Sequence, residues 1–289
     1  MKKIVSTVLA LAMVLSLAGC AGGTDETTAA ETTAAQTEAA EETTAAAEET
    51  TAAAETTAAA DETTAAEGET AESGAETAEV MTHEEYMAAD LDSHVVVETY
   101  VQAKQSWWED QATVYAQSED GAYFLYNMAC SEEDYDLLVP GTKIRVDGYK
   151  AEWSGEVEII DATFEIIEGD TYIAEPLDVT EMLGTDELID HQNELVSFTG
   201  MTVEAADDSG AAFLYNYDGS GAQGDDLYFN VSYNGETYTF TIESYLCDSS
   251  TEVYQAVEAL EVGQTVDMEG FLYWYEGVNP HITSLTVAE

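Results

Sequence analysis

Basic residues are almost missing from this chain, whose 289 residues include six Lys and Arg against 60 Asp and Glu, for a formal charge of −54. Nucleic-acid backbones are held by Lys and Arg that displace counterions from phosphates, and a field of this sign repels polyanions. The balance therefore argues against nucleic acid and for a cation, a glycan or other neutral polyol, or a basic protein surface. Cysteine is scarce, with only Cys20, Cys130 and Cys247. Long apolar runs are scarcer, since nothing after residue 17 is apolar enough to cross a bilayer. From 24 to 80 aromatics are absent, and no apolar side chain larger than Ala occurs before Val80. Catalytic motifs are missing too. His83, His94, His191 and His281 have no metal-ligand spacing, and no Ser sits in a Gly-x-Ser-x-Gly elbow. With so many acids some carboxylate pair suited to glycoside hydrolysis always exists, so no pair points to an enzyme.

Lys2 and Lys3, the apolar run Ile4 to Leu17 and the small residues before Cys20 have the layout of a secretory signal peptide. Leu17-Ala18-Gly19-Cys20 resembles the lipobox of bacterial lipoproteins. The resemblance implies that 1–19 are removed, that lipid is attached to the Cys20 thiol, and that the mature protein is held at the extracellular face of the cell membrane. A membrane-spanning helix is the alternative, but it needs about 20 apolar residues, and this run is shorter.

Residues 20–80 read as a tether. Glu-Thr-Thr-Ala-Ala starts at Glu26, Glu31, Glu42, Glu49, Glu55 and Glu62. Such a segment buries too little surface to offset the entropy of ordering it. As a flexible chain it reaches roughly 40 Å.

From Met81 the composition turns to β-branched and aromatic residues. Strands are expected at Ser93–Lys104, Gln111–Gln117, Gly121–Cys130, Thr142–Trp153 and Glu156–Ile167, with a short helix over Ser131–Leu138 capped by Ser131 and Asp134. A second set is expected at Glu194–Glu204, Ala211–Tyr217, Asp226–Tyr233, Glu236–Leu246, Thr265–Tyr275 and Pro280–Val287. Here Asn234-Gly235 marks a hairpin, and a helix after Cys247 is expected to be capped by Ser249 and Glu252. Met81–Asp92 and Val179–Gln192 read as helical lead-ins. Gly141 to Tyr149 matches Gly263 to Phe271 in its glycines and alternation, and Phe124-Leu-Tyr-Asn127 recurs as Phe213-Leu-Tyr-Asn216 at a different offset. The mismatch puts an insertion at Asp218–Asp226.

Three strands, a helix and a final hairpin is the order of an OB-fold, a five-stranded Greek-key barrel. The fold class expected is all-β, with two tandem OB-fold-like barrels at 81–174 and 175–289 behind the disordered tether. At this point the chain resembles bacterial surface lipoproteins that carry OB-like domains on a low-complexity tether. Cys130 and Cys247 occupy equivalent places in the two units and are read as free thiols, with a bridge as the alternative.

OB-folds bind through their middle strands and the loops joining strands 1 to 2 and 4 to 5. Those places hold Trp107, Trp108, Tyr123, Tyr126 and Trp153 in the first unit and Tyr215, Tyr238, Tyr273, Trp274 and Tyr275 in the second. Of these, Trp107, Trp108, Tyr126, Trp153, Tyr215, Trp274 and Tyr275 are selected as ligand-binding residues. Their rings can stack on sugars or hold cations. Trp107 and Trp108 are adjacent, so in a strand they point to opposite faces. His281, after Asn279-Pro280, reads as a turn residue. Asn216, Asp218 and Ser220 imitate the start of an EF-hand calcium loop, but Leu227 stands where a bidentate Glu is required. An irregular Ca²⁺ site on Asp218, Asp225 and Asp226 is what survives. The chain is expected to be a non-catalytic binding module; a carbohydrate-active hydrolase or its accessory subunit and a structural spacer are the alternatives.

Overall fold

The computed structural model describes residues 79–288. Cys20, the signal segment and nearly all of the tether lie outside these residues.

The chain enters at Met81, which bridges Val97 in parallel, and passes into α1 (His83–Ala88). The Thr82 hydroxyl accepts the Glu85 N–H at 3.3 Å, and the Glu85 carboxylate accepts the Thr82 N–H at 2.9 Å, a reciprocal cap that explains where the helix starts. Then come β1 (His94–Lys104), β2 (Gln111–Ser118), β3 (Gly121–Ala129), α2 (Glu132–Leu137), β4 (Lys143–Trp153) and β5 (Glu156–Ile166). They close in the order β1-β2-β3-β5-β4, with β3 and β5 parallel and β4 returning to β1. That is OB topology, with α2 between the third and fourth strands. Apolar side chains on one face of each strand, among them Val97, Val114, Leu125, Val146 and Ile159, fill the barrel.

The four basic residues of this part of the chain are used inside the first barrel. Lys150 donates to the carbonyls of Tyr86, Met87 and Ala89 at 2.8–3.1 Å, and Lys104 donates to Tyr135 O. Each thereby supplies the positive charge missing from a helix C-terminus. Lys143 and Arg145 pair with Glu98 at 2.8 and 3.9 Å.

The second barrel has the same plan. A lead-in strand, β6 (Leu177–Asp178), runs parallel to β7 (Leu195–Glu204), and the 3₁₀ turns Thr180–Met182 and Leu188–His191 lie between them. After β8 (Phe213–Tyr215) come β9 (Leu227–Tyr233), β10 (Glu236–Ile242), α3 (Glu252–Glu258), β11 (Thr265–Phe271) and β12 (His281–Val287). The ring β7-β9-β10-β12-β11 closes with β10 and β12 parallel. Asn234 and Gly235 both take positive φ, 53° and 88°, as a two-residue hairpin turn requires. Gly148 and Gly270 are true equivalents, each at a register shift where a Cβ would lie 2.3–2.9 Å from the neighbouring strand.

Four expectations need correction. The short β8 is not a second strand; it pairs with β9 at Phe213↔Phe229 along the same edge that β7 occupies at Val203↔Val231. The loop 205–212 therefore interrupts strand 1, and the Phe-Leu-Tyr-Asn match is coincidental, since Phe124 lies in the third strand of its barrel. The α3 cap is Thr251, whose hydroxyl accepts the Tyr254 N–H, rather than Ser249. Trp107 and Trp108 lie in the loop between β1 and β2, as the expected strand bounds place them, so the opposite-face rule for adjacent strand residues does not apply to them. His281 is the first residue of β12 and is buried. Cys130 and Cys247 are free and buried, and burial raises their thiols to about 11 and 12.

Candidate functional site

The two barrels meet through the outer face of β2 and β3. Tyr115 and Phe124 pack with Phe271 from the end of β11, Tyr115 stacking on Phe271 at 4.3 Å between ring centres and Phe124 meeting Tyr273 edge-on at 5.3 Å. Around this apolar patch lies a ring of polar contacts. Gln117 Oε1 accepts the Leu195 N–H at 2.8 Å, Ser106 N–H donates to Tyr245 O at 2.7 Å, and the Tyr115 hydroxyl hydrogen-bonds His281 Nδ1 at 2.6 Å. Burial pushes His281 down to about 3, so its ring is neutral at any ordinary pH.

The β4–β5 turn completes the junction. Ser154 and Gly155 take φ of 52° and 95°, the two-residue turn with both angles positive. Gly155 lies under Trp274, where a Cβ would be 2.8 Å from the indole Cδ1, and Ser154 O accepts the Glu276 N–H at 2.7 Å. The next residue, Glu156, is fully buried. Its Oε2 accepts the Trp274 N–H at 2.9 Å and a Gln192 amide hydrogen at 3.2 Å. Glu156 Oε1 and Asn193 Oδ1 both lack a partner. Burial raises Glu156 to about 8, with the adjacent Asn193 amide and the Trp274 N–H pulling the other way. In its acid form it supplies the hydrogen that can join those two oxygens.

This docking carries Trp153 from the first barrel to the rim of a cleft of about 670 Å³ on the second. The floor is the outer face of β9, β10 and the start of β12: Tyr228, Asn230, Thr239, Thr241 and His281. These residues alternate with the core residues Leu227, Phe229, Val231, Phe240 and Ile242, so the strand pleat itself places them outward. Thr239 donates to Asn230 Oδ1 at 2.8 Å and Thr241 to Asn279 Oδ1 at 2.7 Å, which fixes both amides. The walls are Tyr273 and Tyr275 from the β11–β12 loop and Tyr217 and Asp226 from the β8–β9 loop. Glu243, just after β10, lies at the bottom. Its Oε1 accepts the Tyr245 N–H at 3.1 Å, and burial, opposed by that bond and reinforced by the Asp226 charge, raises it to about 7.

Of the residues selected from sequence, Trp153 and Tyr275 line this cleft. Trp108 and Tyr126 line a smaller hollow of about 320 Å³ on the first barrel, together with Tyr245. Trp107 is part-buried and donates its Nε1–H to Cys130 O at 2.9 Å. Tyr215 packs on the second core and donates to Glu258 at 2.6 Å, and Trp274 packs on the same core above Gly155. Sequence reasoning missed Tyr217, Tyr228, Glu243 and Asn279 as lining residues. For Tyr228 the signal was available in its alternation with Leu227 and Phe229.

The calcium expectation is corrected. Asp218 accepts the Ser220 N–H and Asp225 the Ala222 N–H, each closing its own turn, while Asp226 accepts both the N–H and the hydroxyl of Ser244 and ties the loop to the segment after β10. Among the described residues no three His, Cys, Asp or Glu side chains converge as metal ligands.

No family model matches the chain, and no curated protein matches it. Among solved structures it is similar to a murine DNA-binding protein bound with double-stranded DNA, at 9% identity over 67% of this chain and 95% of that one, with a TM-score of 0.33. It is also similar to the p204 HINb domain, at 11% identity over 69% and 100%, with a TM-score of 0.32. A replication protein A heterotrimer bound to single-stranded DNA matches at 10% over 68% and 49%, with a TM-score of 0.28. Neighbours this distant transfer no ligand to this chain. The DNA-bound neighbours do contradict the expectation, drawn from charge, that nucleic acid is disfavoured as a partner, and that expectation is withdrawn.

Proposed function

We propose that this chain is a lipid-anchored cell-surface protein that binds a glycan in the cleft of its second barrel, without catalysing a reaction on it. The cleft carries the reading. The rings of Trp153, Tyr217 and Tyr275 are 60%, 77% and 49% exposed and surround a floor of short amide and hydroxyl side chains. Exposed rings offer flat apolar area to one face of a sugar ring, while Asn and Thr offer both donors and acceptors to its hydroxyls. The volume lies within the usual range for small-ligand sites of roughly 300–1,000 Å³. The anchor rests on Cys20 and the lipobox resemblance, and the tether would hold the barrels clear of the membrane.

The test uses the full chain in a secreted Cys20→Ser form, screened against oligosaccharides and then measured by calorimetry. Neutral oligosaccharides are expected to bind unchanged by the protein, and Trp153→Ala and Tyr275→Ala are each expected to weaken binding at least tenfold while leaving the denaturation midpoint in place. Failure of every oligosaccharide, with binding of a DNA duplex or single strand instead, would overturn the proposal.

A further inference from the structure

Resting on the glycan reading, we infer that the ligand carries a protonated primary amine and that Glu243 receives it, so that the preferred ligand is an amino-sugar oligomer with free amines. Glu243 is 9% exposed and lines the cleft, yet its buried Oε2 has no hydrogen-bond partner. A buried polar atom left unpaired is costly. Among the described residues no cation is offered there, because residues 175–289 contain no Lys or Arg, and the four basic residues of the first barrel are engaged within it.

The other groups facing Glu243 fit the same reading. Asp226 adds a second carboxylate, held by Ser244 through only one of its oxygens. His281 is neutral, and Tyr115, Tyr228 and Tyr273 are kept protonated by burial. The rings of Tyr228, Tyr273, Tyr275 and Trp153 also line the cleft, and their faces favour an organic cation.

The kind of cation follows from the free positions. A guanidinium is best matched by both oxygens of a carboxylate in one plane, and Glu243 Oε1 already accepts the Tyr245 N–H, which leaves Oε2 as the one oxygen without a partner. A calcium ion needs six to eight oxygens, and among the described residues Asp226 and Glu243 are the only carboxylates on the cleft wall. An ammonium has three donors on one atom, which one free carboxylate oxygen and neighbouring neutral acceptors can meet.

Calorimetry on the full Cys20→Ser chain would compare oligomers of glucosamine, N-acetylglucosamine and glucose, with a linear polyamine as a fourth probe. The glucosamine oligomer is expected to bind at least tenfold more tightly than its acetylated form. Its binding near pH 6 is expected to release a proton, seen as a dependence of the heat on the buffer's ionisation enthalpy. Glu243→Gln, which keeps the Tyr245 acceptor, is expected to reduce the preference to less than twofold. If neutral sugars bind in a Trp153-dependent way with no amine preference, the inference fails and the glycan reading stands. If the polyamine alone binds, and needs Glu243, the glycan reading fails and the cation site stands. If no probe binds, both are overturned. The proton release is read on the unsubstituted protein, so the inference remains testable even if Glu243→Gln misfolds.

Discussion

The first barrel and the second turn the same face of the fold to different surroundings, and the strand registers allow a residue-by-residue comparison. In the first, Tyr115 pairs with Phe124, which pairs in parallel with Glu158. In the second, Tyr228 pairs with Thr241, which pairs in parallel with His281. At the centre of the face one barrel thus has a phenyl ring and the other a hydroxyl. The phenyl is covered by Phe271 and Tyr273 of its neighbour, whereas the hydroxyl belongs to the floor of an open cleft. A single repeated fold yields a docking surface and a candidate binding surface through side chains that alternate outward from the same pleat.

The largest effect should come from breaking the covered face. Phe271 is 3% exposed and stacks on Tyr115, so Phe271→Ala removes a ring from a packed interface at about 3–5 kcal/mol. Urea denaturation followed by Trp fluorescence is expected to change from one transition into two as the barrels uncouple. A single transition with an unchanged midpoint would show that the apolar patch does not hold the junction.

Next in size is the buried carboxyl beside that patch. An acid raised from 4.5 to about 8 on folding keeps its proton in the native state after the unfolded chain has lost it. Its contribution is therefore complete below about pH 4.5 and is lost as pH rises toward 8, by up to about 4–5 kcal/mol. Glu156→Gln mimics the acid form, since its amide can donate to Asn193 Oδ1 while its oxygen accepts from Trp274. The variant is expected to be more stable than the native chain at pH 8, by about 3–4 kcal/mol, and close to it at pH 5. Denaturation midpoints at the two pH values check this, and a variant destabilised at both would sink the neutral-acid account.

Sequence patterning carried the strands, because alternation and glycine-flanked turns are local properties. Asn234-Gly235 and the matched Gly148 and Gly270 marked real turns and bulges for that reason. It failed where the decision was long-range. Nothing near Phe213 says that β8 continues the edge of β7 after an eight-residue excursion, so a four-residue coincidence with Phe124 looked like a repeat. His281 followed Asn-Pro and resembled a turn, yet Tyr115, 166 residues away, makes it a buried partner. The candidate site was half legible. Trp153 and Tyr275 followed from the loop positions of an OB-fold, but Glu243 was one acid among many until the fold buried it.

The smallest change in stability belongs to the substitution that sharpens the comparison most. Thr241→Phe places on the second barrel the residue that the first carries at the matching position. Thr241 donates to Asn279 Oδ1 and is 2% exposed among the residues lining the cleft. The exchange therefore removes one hydrogen bond, about 1 kcal/mol, and the ring's burial in the cleft can offset part of this. The fold should persist with a midpoint close to the native one. The ring should occupy the space between Tyr228 and His281, so oligosaccharide binding is expected to fall at least tenfold. Retained binding would mean that the open face of the second barrel is not where the ligand sits. Binding lost together with the fold would mean that Thr241 is there for the Asn279 contact, and that the difference between the two faces lies in loop support.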